Sequence, residues 1–336
     1  MKKLFAAFIF PVLLFSCSKN SDAPVTPPIV IPIPPTNNPI TTLPAGWRLA
    51  TTFMNNFPAG IQLYSFDSIF NGQKIKGFCL GYDSKITSFE FKPVLSATAK
   101  TPSSFLNEEP GLTYGCINGG YFGSNQSFSL VKYNSIVSSP NIKTLTRPFN
   151  GINTSYYPTR AAFGVSNTGT PSLSWIYNVG VGNDLIYTYP SPSANELNVA
   201  PQPVPTETFP IGGAVWNTIS AIGGSPVLIK NNTIQITDKE ELIVINNTTS
   251  RPRSAIGYSS NGIVLIFAIE GDNPPNYPGI NLSDLALLIK GFNCEAAMNL
   301  DGGGSTYMKV NGTQTVRPGD NGVERPVVSV VLIKKR

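Results

Sequence analysis

Arg253-Ser254-Ala255-Ile256-Gly257-Tyr258-Ser259-Ser260-Asn261-Gly262-Ile263-Val264-Leu265-Ile266-Phe267-Ala268-Ile269-Glu270 carries the fold. Two β-rich apolar runs flank an Asn-Gly pair, the strongest short-range signal for a hairpin, because a type I′ turn needs positive φ at both central residues. A two-residue loop here sets Arg253 opposite Glu270. Opposed residues share a face, with Cβ atoms about 4.5–5.5 Å apart. The apolar middle of the ribbon predicts burial. Its open end presents an Arg and a Glu beside Gly271-Asp272-Asn273, a pairing that serves equally as a structural ion pair or as part of a site.

Outward from this ribbon the pattern repeats. Ala162–Val165 precedes Asn167-Thr168-Gly169, and Pro226–Ile229 precedes Asn231-Asn232 and Thr233–Ile236. Asn311-Gly312 marks a second two-residue hairpin. One helix is predicted over Leu282–Lys290, capped by Asn281 or Ser283, with Leu285, Leu288 and Ile289 on one face and Gly291 ending it. The class is α+β: a mixed, largely antiparallel β-sheet core with a few helices in a single large domain. The polar, Pro-rich stretch from Tyr189 to Pro210 reads as a long surface excursion.

The N-terminus sets the compartment. Lys2 and Lys3 precede an apolar run from Leu4 to Phe15, too short to span a bilayer, so residues 1–16 read as a signal peptide. Leu14-Phe15-Ser16-Cys17 resembles a bacterial lipobox, which makes Cys17 the lipid anchor. Residues 17–45, rich in Pro, Ser, Thr and Asn, read as a linker that cannot build a core. The domain then runs over 46–336. The expected location is the cell envelope, lipid-anchored to the bacterial outer membrane, with the lipid as the only membrane contact.

Composition narrows the chemistry. The chain has 24 basic and 19 acidic residues, a formal charge of +5. So weak and unclustered an excess argues against nucleic acid as partner. After Cys17 only Cys79, Cys116 and Cys294 remain, which permits one internal disulfide at most. There is no histidine at all. Ser-His-Asp and Cys-His nucleophilic catalysis and histidine-ligated zinc are therefore excluded, and proton transfer falls chiefly to carboxylates.

Met298-Asn299-Leu300-Asp301-Gly302-Gly303-Gly304-Ser305-Thr306 is the second informative stretch. A buried strand ends in an aspartate, then three glycines. Consecutive glycines weaken a strand, so they need a reason: a bare turn, or a close backbone approach whose N–H groups receive negative charge. No Gly-Lys-Ser/Thr follows, so no nucleotide loop is indicated. Cys116-Ile117-Asn118-Gly119-Gly120-Tyr121-Phe122, Ala221-Ile222-Gly223-Gly224-Ser225-Pro226, Arg251-Pro252-Arg253 and Glu324-Arg325-Pro326 complete the set.

In this order, from about Tyr114 to the C-terminus, these segments resemble the phosphodiester glycosidase family. The resemblance implies hydrolysis between an anomeric carbon and a phosphate oxygen. Carried over, the catalytic residues are Glu270 and Asp301. Substrate contacts fall to Arg253, Arg325, Asn118, Gly223, Gly224, Gly302, Gly303, Gly304 and Ser305, with Tyr121 placed to stack on a sugar. The substrate is then a sugar phosphate or glycan, and no cofactor is required. Alternatively, the carboxylates near Asp272 hold a divalent cation such as Ca²⁺. The rival to an enzyme is a non-catalytic, glycan-binding surface lipoprotein. Residues before Tyr114 match nothing in the family, so substrate selectivity is not inherited.

Overall fold

The ribbon forms in the computed structural model, which describes residues 39–40 and 42–336, but one residue out of the expected register. Strands Arg253–Ser259 and Ile263–Ile269 are joined by three residues, not two. Gly262 takes φ +91° and its N–H closes on the Ser259 carbonyl at 2.9 Å, a turn finished by a left-handed glycine. Arg253 therefore faces Ile269, and Glu270 points to the other side of the sheet. At Asn311-Gly312 the two-residue turn holds, with φ 48° and 75° and Val310 paired to Thr313.

The physical reason lies in burial. Ile256, Val264, Ile266 and Ala268 enter one apolar cluster, while Ala255, Leu265, Phe267 and Ile269 enter another on the opposite face. A ribbon buried on both faces has no polar alternation to fix its register.

The ribbon is central in an eight-stranded sheet whose order is Trp47–Leu49, Ile61–Phe70, Gln73–Asp83, Ile263–Ile269, Arg253–Ser259, Cys294–Asn299, Val227–Lys230, Thr233–Ile234. Helix Leu282–Lys290 covers one face through Leu285, Ala286 and Ile289. Its cap is Asn281, whose side chain accepts the Asp284 N–H at 2.8 Å, and Gly291 follows its last residue.

Against the other face lie a five-stranded sheet built on Phe89–Lys100, Thr113–Asn118 and Val327–Lys335, and a seven-stranded sheet around Pro171–Asn178, Arg160–Val165 and Ser220–Gly223. Every strand pair among the described residues is antiparallel. A second helix, Pro102–Glu108, has the Thr101 cap and first-turn Pro102 that helices favour, although its short, polar sequence gave no apolar period to read.

The described residues all fall in one compact unit. Residues 190–213 carry no strand, as expected of the Pro-rich excursion. Cys79, Cys116 and Cys294 are all free and buried. Among the described residues no helix is long and apolar enough to cross a membrane. The signal peptide, Cys17 and most of the linker lie outside the described residues.

One consequence of the topology places the site. Asn118 and Asn299 end their strands, Arg253 begins one, Glu270 follows one, and Arg325 precedes the Val327–Lys335 strand. The antiparallel registers bring these termini to the same end of the packed sheets.

Candidate active site

Asp301 follows the Cys294–Asn299 strand and is held from below. The Asn118 amide donates to the Asp301 carbonyl at 2.7 Å, while its oxygen accepts the Ser254 hydroxyl at 2.6 Å and the Tyr307 N–H at 3.2 Å. Fully buried Asn118 thus ties the five-stranded sheet to the eight-stranded one under the loop. Leu300 N–H bonds the Ser254 carbonyl at 2.8 Å. The Asp301 side chain accepts the Gly302 N–H at 2.9 Å and a bond from Ser305, and Arg325 adds a favourable charge. Burial outweighs all three and pushes its carboxyl up to about 6.

The glycines serve this aspartate differently from a phosphate nest. Gly302 N–H is spent on Asp301, Gly303 N–H on the Pro252 carbonyl at 2.9 Å, and Ser305 N–H on the Gly302 carbonyl at 3.1 Å. What the glycines supply is room. A Cβ on Gly304 would collide with the Arg325 guanidinium, and Gly303 takes φ +59° under the close approach of Gly319. A Cβ at Gly303 would also meet Arg251 Nη2 at 3.7 Å. Two arginines therefore lie across the turn beside Asp301.

Those two are Arg325 and Arg251, each 42 % exposed. Arg325 Nε stands 3.2 Å from Asp320, and Arg251 Nη1 stands 3.4 Å from Asp272. Arg253, the expected phosphate ligand, is placed otherwise. It is 2 % exposed, and its guanidinium donates to the carbonyls of Ile280, Ile245, Asn246 and Thr249 at 2.7–3.3 Å. With four of its five N–H groups engaged, Arg253 clamps the 245–249 loop. Arg251 stands in the same Arg-Pro-Arg segment, but nothing in the sequence says which of the two arginines turns outward.

Glu270 is likewise committed. It is 2 % exposed, pairs with Lys76 at 2.9 Å, and accepts the Asn273 amide at 3.3 Å and the Arg317 N–H at 3.1 Å. Instead of meeting Arg253 it anchors the loop that carries Arg325. Of the carboxylates weighed for a cation, Glu270 pairs with Lys76 and Asp272 stands 3.4 Å from Arg251.

Gly223 and Gly224 are buried beneath the turn, where a Cβ on Gly224 would strike the Asn299 carbonyl. Tyr121 is half-buried, its hydroxyl donating to the Ser225 carbonyl at 2.6 Å and accepting from the Asn299 amide at 2.8 Å. Burial and the neighbouring Asp301 charge push this phenol well above its usual range, so it stays neutral. Below Ser225 sits a residue that sequence reasoning missed. Fully buried Glu241 accepts from Ser225 and Thr237 hydroxyls, the Val227 and Ala161 N–H groups and the Trp175 indole, at 2.6–3.1 Å. Nothing in its local sequence, Asp238-Lys239-Glu240-Glu241, distinguishes it from a surface acid.

The phosphodiester glycosidase family matches residues 116–334, well over half the chain and every segment just described except the Lys76 partner. The chain belongs to that family. Among solved structures, the zebrafish N-acetylglucosamine-1-phosphodiester alpha-N-acetylglucosaminidase catalytic domain, auto-inhibited by its pro-peptide, is similar at 17% identity and TM-score 0.53, covering 86% of this chain and 88% of that one. A hypothetical protein from Synechocystis is similar at 16% identity and TM-score 0.55, covering 84% of this chain but only 63% of its own. At such identities the likeness is one of fold. No match was found among curated proteins. The matched region includes Asp301 and Arg325, and family membership supports a glycosidase-type hydrolase.

Proposed function

We propose that this phosphodiester glycosidase hydrolyses a sugar-1-phosphodiester, with Asp301 as the reacting carboxylate and Arg325 and Arg251 as the phosphate ligands. The observation that carries the reading is the turn itself: Gly304 admits the Arg325 guanidinium beside partly buried Asp301, and Arg251 lies against Gly303 of the same turn, both guanidinium groups part-exposed. Guanidinium suits the two-oxygen face of a phosphodiester, and charge building on the departing phosphate gains from fixed cations.

Cleavage of the anomeric C–O bond leaves oxocarbenium character on the sugar, which the negative Asp301 stabilises. Ionised Asp301 takes the proton of the attacking water, the water oxygen bonds to the anomeric carbon, and the bond electrons leave with the phosphate monoester. A phosphate leaving group needs little acid assistance, consistent with a site in which Glu270 is tied off. The half-exposed Tyr121 ring flanks the sugar. Ser305 holds the Asp301 carboxylate in place, while Asn118 fixes the backbone that carries it.

A role confined to glycan binding leaves the raised Asp301 pKa and the paired arginines without purpose. The substrate would be an envelope or environmental glycan, met by an enzyme tethered to the bacterial outer membrane through lipid on Cys17, with neither nucleic acid nor a cofactor involved. The test is turnover of a panel of sugar-1-phosphodiesters followed by ³¹P NMR: release of a phosphate monoester upholds the reading, and an inert panel contradicts it.

A further inference from the structure

The open end of the sheets continues beyond the arginines. At this end of the eight-stranded sheet lie Asp301, the Arg251–Arg253 segment and Glu270, then Lys76 and Asp67, which face each other on neighbouring strands a short way in from the turn that joins them. Beside Lys76 and Asp67 opens a cavity of about 330 Å³ with Arg48, Thr52, Phe53 and Phe78 in its wall. It lies about three strand spacings from the Arg253 strand, on the order of 14 Å. Tyr121 borders Asp301 on the opposite side, next to Ser225. The cavity is built from residues 48–78, wholly outside the stretch the family matches.

We infer that this cavity is a distal saccharide subsite, which takes a sugar unit of the acceptor glycan on the far side of the phosphate; the inference rests on the phosphodiester reading. Direction comes first. With the glycosyl ring toward Tyr121 and phosphate at Arg251 and Arg325, the acceptor leaves toward Lys76. The wall has the chemistry for a sugar.

Phe53 and Phe78 pack edge to face at 5.4 Å and give an apolar floor, and around them stand donors and acceptors in close alternation. Asp67 is exposed and accepts only the Tyr277 hydroxyl, at 3.2 Å to each oxygen, leaving lone pairs for adjacent hydroxyls. The exposed Arg48 guanidinium has no partner among the described residues. Lys76 joins this cavity to the site through Glu270, which holds the Arg317 N–H and so the loop bearing Arg325. The span of several strands requires an acceptor longer than one ring.

The test compares N-acetylglucosamine-1-phosphate esters of methanol with those of gluco-, manno-, galacto- and chito-tetraose. At least one tetrasaccharide ester is expected to exceed the methyl ester in kcat/KM by roughly tenfold, the worth of one or two hydrogen bonds. Arg48→Ala and Asp67→Asn should collapse that ratio toward one; both side chains are exposed, so folding is not at stake.

In parallel, the free tetrasaccharides are titrated into the wild-type protein, with amide shifts expected in Arg48–Phe53. A preference that survives both substitutions, or the absence of any preference together with unmoved amides, overturns the inference. If no ester is cleaved, the phosphodiester reading fails alone, and the titration still decides the cavity: shifts in Arg48–Phe53 uphold a sugar site and their absence removes it.

Discussion

At the scale of single residues, the decisive contrast is between two arginines separated by one proline. Arg251→Ala leaves the fold intact and is expected to lower kcat/KM roughly 10²-fold, because a fixed cation leaves the phosphate. Arg253→Ala strands four carbonyls and is expected to cost about 2–4 kcal/mol in denaturant unfolding while acting on turnover only through loosening of the loop. The opposite pattern reverses their assignment.

Asp301 makes a second prediction with a sign. Its carboxyl titrates at about 6 in the folded chain, above its unfolded value near 4, so ionising it weakens the fold as pH rises from roughly 4 through 6. Asp301→Asn should therefore gain about 1–3 kcal/mol of stability at pH 7.5, read as a raised Tm. Wild-type kcat/KM should climb through pH 6 and level off above it. A profile that falls through pH 6 would assign Asp301 to acid rather than base.

Elements explain what was legible. Helix Leu282–Lys290 and the Asn311-Gly312 turn are readable because cap, period and turn chemistry agree locally. The 253–270 ribbon is readable as a hairpin, but its register is not: both faces are buried, and Ser259-Ser260-Asn261-Gly262 accommodates a two- or three-residue loop. That single step sets Arg253 opposite Ile269 and turns Glu270 to the other side of the sheet, toward Lys76.

The triple glycine stands out in the sequence, and in the fold two of its amides are engaged, Gly302 with Asp301 and Gly303 with Pro252, while the missing side chain of Gly304 makes room for Arg325. Gly304→Ala should displace Arg325 and reduce kcat/KM in the same direction as Arg325→Ala but by no more, with little change in Tm; unchanged kinetics would show that the close approach has no role.

For the whole molecule, convergence is the result that local patterns cannot deliver. Strand ends from two sheets meet because Asn118 bridges them, and Glu241 supports the floor from below. Glu241→Ala leaves four buried donors unsatisfied, the Trp175 indole keeping Thr237 as an acceptor, and is expected to destabilise the domain on the order of 3 kcal/mol or more in urea unfolding. The resemblance grouped Asp301, Asn118 and Arg325, and the fold brings them to one turn, whereas the cavity at residues 48–78 lies outside the stretch the family matches.

The most direct measurement is the rate at which the wild-type protein and Asp301→Asn release phosphate monoester from the same sugar-1-phosphodiester at pH 7.5. The account predicts steady turnover by the former and a loss of roughly 10²–10⁴-fold in the latter. Equal rates for the two proteins would contradict it.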